Sequence, residues 1–241
     1  MSEIPRKSTV QEIRARFDND VERFSDLNTG QSATIDAPLV LELISACAAA
    51  TTPGARDLLD IGCGAGNYSL KLLEKLPKLN VTLVDLSQNM LDRAVQRVGR
   101  ATCGIVRPLA GDIRELPLAD DSFDVILAAA VLHHLRGDAE WEAVLTKCHR
   151  CLRPGGSVWI ADLVDHDLPA VRRIMRDRYG QYLLRQGGAE YRDKVFAYVE
   201  AEDTPRSLTF QTELLRRVGF DVAEVLHKNN CFAAFGAMKV A

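Results

Sequence analysis

The chain has 241 residues, 47% of them hydrophobic and 26% charged, with a formal net charge of -3. That length suits one domain with an appendage and a full core, and the slightly acidic balance carries no general footprint for nucleic acid. No stretch approaches the roughly 18 apolar residues of a membrane span, and the opening MSEIPRKS lacks the apolar centre of a secretory leader, so a reducing, cytoplasmic setting is expected.

Residues 1–36 are polar and charged, with a helix expected near Val10 to Phe24 and a loop at Asn28, Thr29 and Gly30. They are read as a helical lid segment before a main domain over 37–241. Asp36 stands as the cap of a helix with Pro38 in its first turn, running through VLELISACAAA to Thr52, Pro53 and Gly54. Strands and helices then alternate. Strands are predicted at Asp57–Ile61, Asn80–Asp85, Gly104–Ala110, Phe123–Ala129 and Ser157–Asp162. Helices are predicted at Asn67–Leu76, Gln88–Val98 (capped by Ser87) and Glu140–Cys151. Short apolar runs without alternation are what strands buried on both faces look like. Residues 165–206 break the rhythm as a helical insert, with pieces at Leu168–Gln186 and Glu190–Ala201. A helix at Thr212–Val218 and two strands, Asp221–Lys228 and Cys231–Lys239, close the chain. The short Asn229-Asn230 link makes those strands antiparallel. Cys148 and Cys151 form a CxxC on a helix without a second pair, so buried thiols are expected and no metal site is assigned.

The most informative stretch is LLDIGCGAGNYS, residues 58–69: a strand, a glycine turn and a helix, the unit that carries a nucleotide-like ligand at its turn. Glycines let the backbone approach a ligand where a Cβ would collide. The spacing Gly62, Gly64, Gly66 is GxGxG; Asn67 occupies the place of the third glycine of a dinucleotide fingerprint. That argues against a diphosphate on the helix N-terminus, while Asp60 welcomes a cationic ligand. S-adenosylmethionine is such a ligand. Asp85, about 20 residues beyond the glycines, suits the two ribose hydroxyls. Asp112 and the Ile113 backbone suit the adenine edge, and Leu86, Met90 and Ile113 supply an apolar slot. Three acids at successive strand ends are hard to explain as turn formers alone.

With LLDIGCGAG, VDLS, GDIRELPLADDSFDVILAAAVLHHL and LRPGG, roughly Leu58 to Asp162, the chain resembles the class I S-adenosylmethionine-dependent methyltransferases. The resemblance implies an α/β, Rossmann-like seven-stranded mixed sheet whose last strand is antiparallel and inserted between the fifth and sixth. It implies S-adenosyl-L-methionine as cofactor, held by Asp60, Gly62, Gly64, Asp85, Leu86, Asp112 and Ile113, with Ala129 touching the methionine part through its backbone. The ends, RFDNDVERFSDLNTGQ and NNCFAAFGAMK, are partly similar to the carboxy-S-adenosylmethionine synthase group of tRNA modification. A carboxylated cofactor needs a bidentate Arg, and in FQTELLRRVGF Glu213 stands at that place, with Arg216 and Arg217 close by. Ordinary methyl transfer is therefore favoured.

Transfer from a sulfonium is an in-line displacement with an activated leaving group, so a general base is needed only for an acceptor that holds its proton tightly. His133 and His134 after the fourth strand and Asp162 at the end of the fifth are the candidates for that role. AAAV stands where enzymes methylating base or amide nitrogens carry an Asn/Asp-Pro-Pro-aromatic tetrapeptide. The expected acceptor is a small molecule, facing residues 1–36 and 165–206. The insert's arginines and tyrosines could grip an anionic acceptor or tRNA, but its eight acids match its eight bases, which favours a solvated surface or a homodimer face. A carboxy-cofactor synthase-like enzyme and a cofactor-binding module without turnover are the other readings.

Overall fold

The computed structural model describes residues 6–26 and 30–240; Asn28 and Thr29 of the expected loop lie outside the described residues. Seven strands form one sheet: β1 (Asp57–Ile61), β2 (Asn80–Asp85), β3 (Val106–Ala110), β4 (Phe123–Ala129), β5 (Leu152–Leu163), β6 (Val222–Asn229) and β7 (Phe232–Met238). Their order is β3-β2-β1-β4-β5-β7-β6. β7 runs antiparallel to both β5 and β6, and the other pairings are parallel. The expected mixed sheet, with its last strand inserted beside the fifth, is therefore the observed one. The order reverses between β1 and β4, and in open α/β sheets the crevice at such a switch point is where ligands bind.

Helices α3 (Ala37–Thr51), α4 (Asn67–Leu73) and α5 (Gln88–Ala101) cover one face; α6 (Asp138–Cys151) and α8 (Leu208–Arg217) cover the other. Successive strand residues point to opposite faces. Leu59 and Ile61 of β1 thus join Trp141, Val144, Leu145, Leu214 and Leu215, while Leu58 joins Ile44, Ala48, Leu72 and Val98. β3 is an edge strand, which is why it tolerates Pro108. It begins at Val106 and not Gly104, because Thr102, Cys103 and Gly104 are held in a turn: Thr102 Oγ1 accepts the Gly104 N–H at 2.9 Å and donates to Leu79 O at 2.6 Å.

Three local readings change. The helix expected over 10–24 is two, α1 (Val10–Asn19) and α2 (Val21–Ser25), broken at Asp20. Asp36 occupies the cap position of α3 but its side chain makes no cap bond. Its backbone is left-handed at φ 57, and its carboxylate accepts instead from His227 Nε2 at 2.9 Å and Asn229 Nδ2 at 2.8 Å on β6. α8 starts at Leu208, four residues before the expected Thr212, because Ser207 Oγ accepts the Phe210 N–H and caps it.

The insert is α7 (Pro169–Glu202), with non-helical backbone at Gly187 and Gly188, between the two pieces expected. Its first half is anchored by Tyr179 and Leu183, which pack on Ile35 and Phe232. Tyr179 and Tyr182 also donate to the Ala33 and Ser32 carbonyls at 2.9 and 3.1 Å.

Candidate active site

The β1–α4 turn is built on left-handed glycines. Gly62 (φ 64) and Gly64 (φ 49) differ in what a side chain would meet. A Cβ on Gly62 would lie 2.5 Å from Val131 Cγ2, whereas one on Gly64 would have nothing within 4 Å. Gly62 is demanded by packing; Gly64 borders open space. Its N–H donates to Asp85 Oδ2 at 2.8 Å, and the Ser87 N–H donates to Asp85 Oδ1 at 2.9 Å. Asp60, buried at the end of β1, accepts the Ser69 hydroxyl at 2.6 Å. Burial pushes its carboxyl up to about 7; Ser69 pulls it down, and the Asp85 charge adds to the rise. Asp85 is raised too, chiefly by burial.

Beyond β3, Ile113 is buried. Asp112 is engaged by the Arg114 guanidinium, with Nε at 3.0 Å from both carboxylate oxygens and Nη2 at 2.5 Å from Oδ2. Burial disfavours its charge, but Arg114 outweighs this and holds the carboxyl below its ordinary value. Lys147 of α6 fixes the same turn, donating to the Ile113, Arg114 and Leu116 carbonyls at 2.6, 2.9 and 3.1 Å. Leu86 follows Asp85, half-buried. Ala129 ends β4; the next residue, Ala130, is left-handed at φ 52 and bonds Ala161 O.

A second cluster lies at the tips of β4 and β5. Asp162, buried at β5, accepts the backbone N–H groups of Leu132 (2.8 Å), His133 (3.2 Å) and Leu163 (2.7 Å), and the His133 Nδ1–H. Asp203, one residue past α7, turns its Oδ1 to 3.6 Å from His133 Nε2 and 3.4 Å from His134 Nδ1. Burial opposes charge on His133, but Asp162 and Asp203 outweigh it and push the imidazole up to about 9. His134 is held well below its ordinary value by burial and by His133. Burial raises Asp203 to about 6.

Arg16 of α1 bonds both Glu202 oxygens at 3.0 and 2.8 Å and Tyr198 Oη at 2.7 Å, and its guanidinium lies over the Phe17 and Tyr198 rings. Phe17 in turn meets the His134 ring edge-on at 6.2 Å. Asp18 of the same helix accepts from Ser87 Oγ at 2.5 Å, and Asn67 Nδ2 donates to Phe24 O at 2.9 Å, so α1 and α2 lie across the tips of β1 and β2.

Sequence reasoning therefore placed Asp60, Gly62, Gly64, Asp85, Leu86, Asp112, Ile113 and Ala129 along one sheet edge, and His133, His134 and Asp162 in one cluster beside it. It missed Asp203, Arg16 and Lys147, which are remote in the chain and carry no motif. It also missed Tyr68, whose phenol is raised by burial and by the charges of Asp162 and Asp60; its place next to the glycine turn is the signal that could have found it. Glu213, Arg216 and Arg217 are exposed on α8, and Arg217 lies 3.8 Å from Glu142. Cys148 and Cys151 are free, buried thiols. A charged cleft of about 730 Å³ between α1–α2 and α5 includes Asp18 and Arg93 among its walls but none of Asp60, Gly62, Gly64 or Ile113.

Residues 58–156 match the family described as methyltransferase domain. The chain is 30% identical over 178 residues to a ubiquinone/menaquinone biosynthesis C-methyltransferase, UbiE, of Syntrophotalea carbinolica, covering 74% of this chain and 72% of that one. The chain belongs to the class I S-adenosylmethionine-dependent methyltransferases. A second relative of this methyltransferase, the demethylmenaquinone methyltransferase of Listeria monocytogenes, is 26% identical over 189 residues, covering 76% and 78% of the two chains. Among solved structures, the complex of DhpI with SAH has a TM-score of 0.64 at 20% identity, covering 96% of this chain and 97% of that one. Human N-acetylserotonin methyltransferase with SAM has a TM-score of 0.62 at 16% identity, covering 98% of this chain and 63% of that one. The methyltransferase uses S-adenosylmethionine, and its own geometry fits that cofactor. The space bordering Gly64 lies beside two acids, buried Asp60 and half-buried Asp85, whose charge is disfavoured by desolvation, a setting that a cationic ligand relieves. Among the described residues no helix is long and apolar enough to cross a membrane.

Proposed function

We propose that this methyltransferase acts on a small aromatic acceptor with an acidic hydroxyl, of the phenol or quinol class. In this reading Asp60 faces the cationic methionine end of the cofactor, and Gly62 and Gly64 let the backbone approach it. Asp85 takes the ribose hydroxyls, Leu86 and Ile113 form the adenine slot with Asp112 at its rim, and Ala129 lines the methionine part through its backbone. The cofactor supplies an electrophilic methyl group on an activated leaving group, so the protein's share is to position the acceptor and exclude water. Arg114 orients the Asp112 carboxylate, Lys147 fixes the Ile113 turn, and Asp85 fixes the Gly64 N–H.

Residues 1–36 and 165–206 form the acceptor side. Phe17, Tyr198 and the Arg16 guanidinium offer flat faces that suit a ring, and the named activities of the two quinone-pathway relatives point the same way. Methylation at a ring oxygen, or at a carbon activated by it, requires the hydroxyl to lose its proton. The cluster of His133, His134, Asp162 and Asp203 is the titratable centre we assign to that task.

The observation that carries the reading is the pair of acids, buried Asp60 and half-buried Asp85, near the ends of adjacent strands beside the open Gly64 turn. The test is transfer of labelled methyl from S-adenosylmethionine to parallel pools of hydroxyaromatics, amines, thiols and tRNA. Label is expected in the hydroxyaromatic pool. Label confined to any other pool overturns the acceptor class, and absence of binding to S-adenosylhomocysteine overturns the cofactor assignments.

A further inference from the structure

His133 Nε2, His134 Nδ1 and Asp203 Oδ1 converge from two elements that are remote in sequence, the 3-10 turn Leu132–His134 and the end of α7. One ligand atom from each of these three residues lies within 4.8 Å of the other two. Both ring nitrogens of His134 and Oδ1 of Asp203 are buried without a hydrogen-bond partner. Asp203 is 5% exposed. Buried polar atoms are rarely left without a partner, and three on one short path call for an occupant.

We infer that this cluster is a site for one divalent first-row transition-metal ion of the zinc type, held by His133, His134 and Asp203. Two ligands on one tetrahedral zinc, at the usual zinc–nitrogen and zinc–oxygen lengths, stand about 3.3–3.4 Å apart. Here Asp203 Oδ1 is 3.4 Å from His134 Nδ1 and 3.6 Å from His133 Nε2, so the carboxylate already stands near that spacing from both imidazoles. Two imidazoles and one carboxylate select such a cation over magnesium or calcium, which take all-oxygen shells. Asp162 supplies the outer partner: it accepts the His133 Nδ1–H and, through the Leu132 and His133 N–H groups, fixes the turn that carries both histidines. A carboxylate behind a ligating histidine sets its tautomer and raises its basicity.

The surrounding charges permit a dication. Asp162, Glu202 and Asp203 are the acids. Of the neighbouring cations, Arg16 is paired with Glu202, Arg136 donates to the Ser8 and Glu202 carbonyls, and Lys7 donates to the Glu200 and Asp203 carbonyls. The cation would tie the end of α7 to the β4 tip. By lowering the pKa of a bound hydroxyl it would give the cluster its role in acidifying the acceptor. That last clause rests on the proposed function; the binding itself does not.

The test uses the full chain, freed of metal by a chelator. It is titrated with Zn2+ against a chromogenic competitor and with Co2+ by visible absorption. One equivalent of Zn2+ is expected to bind, with a visible Co2+ band of tetrahedral intensity. His134→Gln and Asp203→Asn are each expected to weaken binding at least 10-fold, and Asp162→Asn about 10-fold as an outer partner. His149→Ala, half-buried against Phe220 and outside the cluster, should leave it unchanged. S-adenosylhomocysteine binding by each variant reports an intact fold. Absence of stoichiometric Zn2+ binding and of a Co2+ band in the wild-type chain overturns the inference, whatever the variants do. So does binding that His134→Gln and Asp203→Asn both leave intact. A chain that binds no metal yet methylates hydroxyaromatics overturns the metal site alone, and the converse overturns the acceptor class alone.

Discussion

Gly64→Ala separates binding from folding. The residue sits at φ 49 and its added Cβ would meet no protein atom within 4 Å. Its cost to the free protein is therefore the left-handed backbone of a residue with a Cβ, about 1–2 kcal/mol. At roughly 2–4 °C per kcal/mol for a chain of this size, the melting temperature should fall by about 2–8 °C, with the protein still folded. The effect on cofactor affinity is of another kind. The methyl group projects into the space we assign to S-adenosylmethionine, and a ligand pushed off the turn loses a bond of the ribose to the Asp85 carboxylate. A hydrogen bond to a charged group contributes about 1.5–3 kcal/mol, so the dissociation constant should rise roughly 10- to 100-fold or more. Gly62→Ala is the contrast. Its Cβ would lie 2.5 Å from Val131 Cγ2 at φ 64, adding an overpacking cost of about 1–3 kcal/mol to the backbone strain, so it should damage stability first. Differential scanning calorimetry and titration with S-adenosylhomocysteine read the two quantities separately. Unchanged affinity in a folded Gly64→Ala protein would refute the placement of the cofactor over this turn.

Four other outcomes are expected. Asp60, pushed up to about 7 by burial in the free chain, must be ionised to face a cationic ligand, so affinity for S-adenosylmethionine should fall by up to about 10-fold per pH unit below 7; a flat profile between pH 5 and 8 removes Asp60 from that role. The same shift has the opposite sign for the ligand-free fold: the unfolded chain gives up this proton near pH 4, so its contribution favours folding at low pH and is lost as pH rises from about 4 to 7, which melting curves with and without S-adenosylhomocysteine would resolve. Lys147→Met leaves three carbonyls at 113, 114 and 116 without their donor and should weaken cofactor binding several-fold without touching the ligand; equal affinity would mean that the Ile113 turn holds itself. Arg16→Ala strands Glu202, whose side chain is 9% exposed, at about 1–3 kcal/mol; faster amide exchange at Tyr198–Glu202 and a raised KM for the acceptor are expected, and exchange like the wild type would detach the seam from acceptor binding.

The sheet was legible because each strand reports its own burial. Apolar runs such as LLDI and VTLV have no polar face to show, which is the mark of a strand covered on both sides, and the glycine turn is local by construction. The misreadings share one cause, a side chain taken by a distant element. Asp36 looks like a helix cap, but His227 and Asn229 on β6 claim its carboxylate. The Asp112 carboxylate, expected to accept a bond from adenine, is also held by Arg114, which reaches Glu140 on α6 as well; that contact left no mark in the sequence. Asp203 shows nothing in its own neighbourhood, EAEDTPRS, because its partners are His133 and His134, about seventy residues earlier. Ser207 is the exception: its cap is local, in SLTF, four residues before the expected start at Thr212.

The division of labour along the chain follows from these contacts. Every side chain assigned to the cofactor lies between Asp60 and Ala129, within the matched methyltransferase region of 58–156. The groups we propose for the acceptor side come largely from outside it: Arg16 and Phe17 from α1, Tyr198 and Glu202 from α7, and Asp203 just beyond. These outside pieces hold one another more than they hold the sheet. Ser8 N–H bonds Ala201 O, Lys7 bonds the Glu200 and Asp203 carbonyls, and Arg16 bonds Glu202. Beside the Asp18–Ser87 and Asn67–Phe24 bonds and the edge contact of Phe17 with His134, their further ties to the core are polar. Thr204 N–H meets His133 O at 2.7 Å, and Arg136 reaches Ser8 and Glu202. A seam closed by hydrogen bonds and one half-buried ion pair opens at far lower cost than the apolar core. Under the proposed assignments, the cofactor platform stays rigid while the described part of the N-terminal segment and the end of α7 separate to admit an acceptor, and substitutions there would alter acceptor choice without disturbing the acids assigned to the methyl donor.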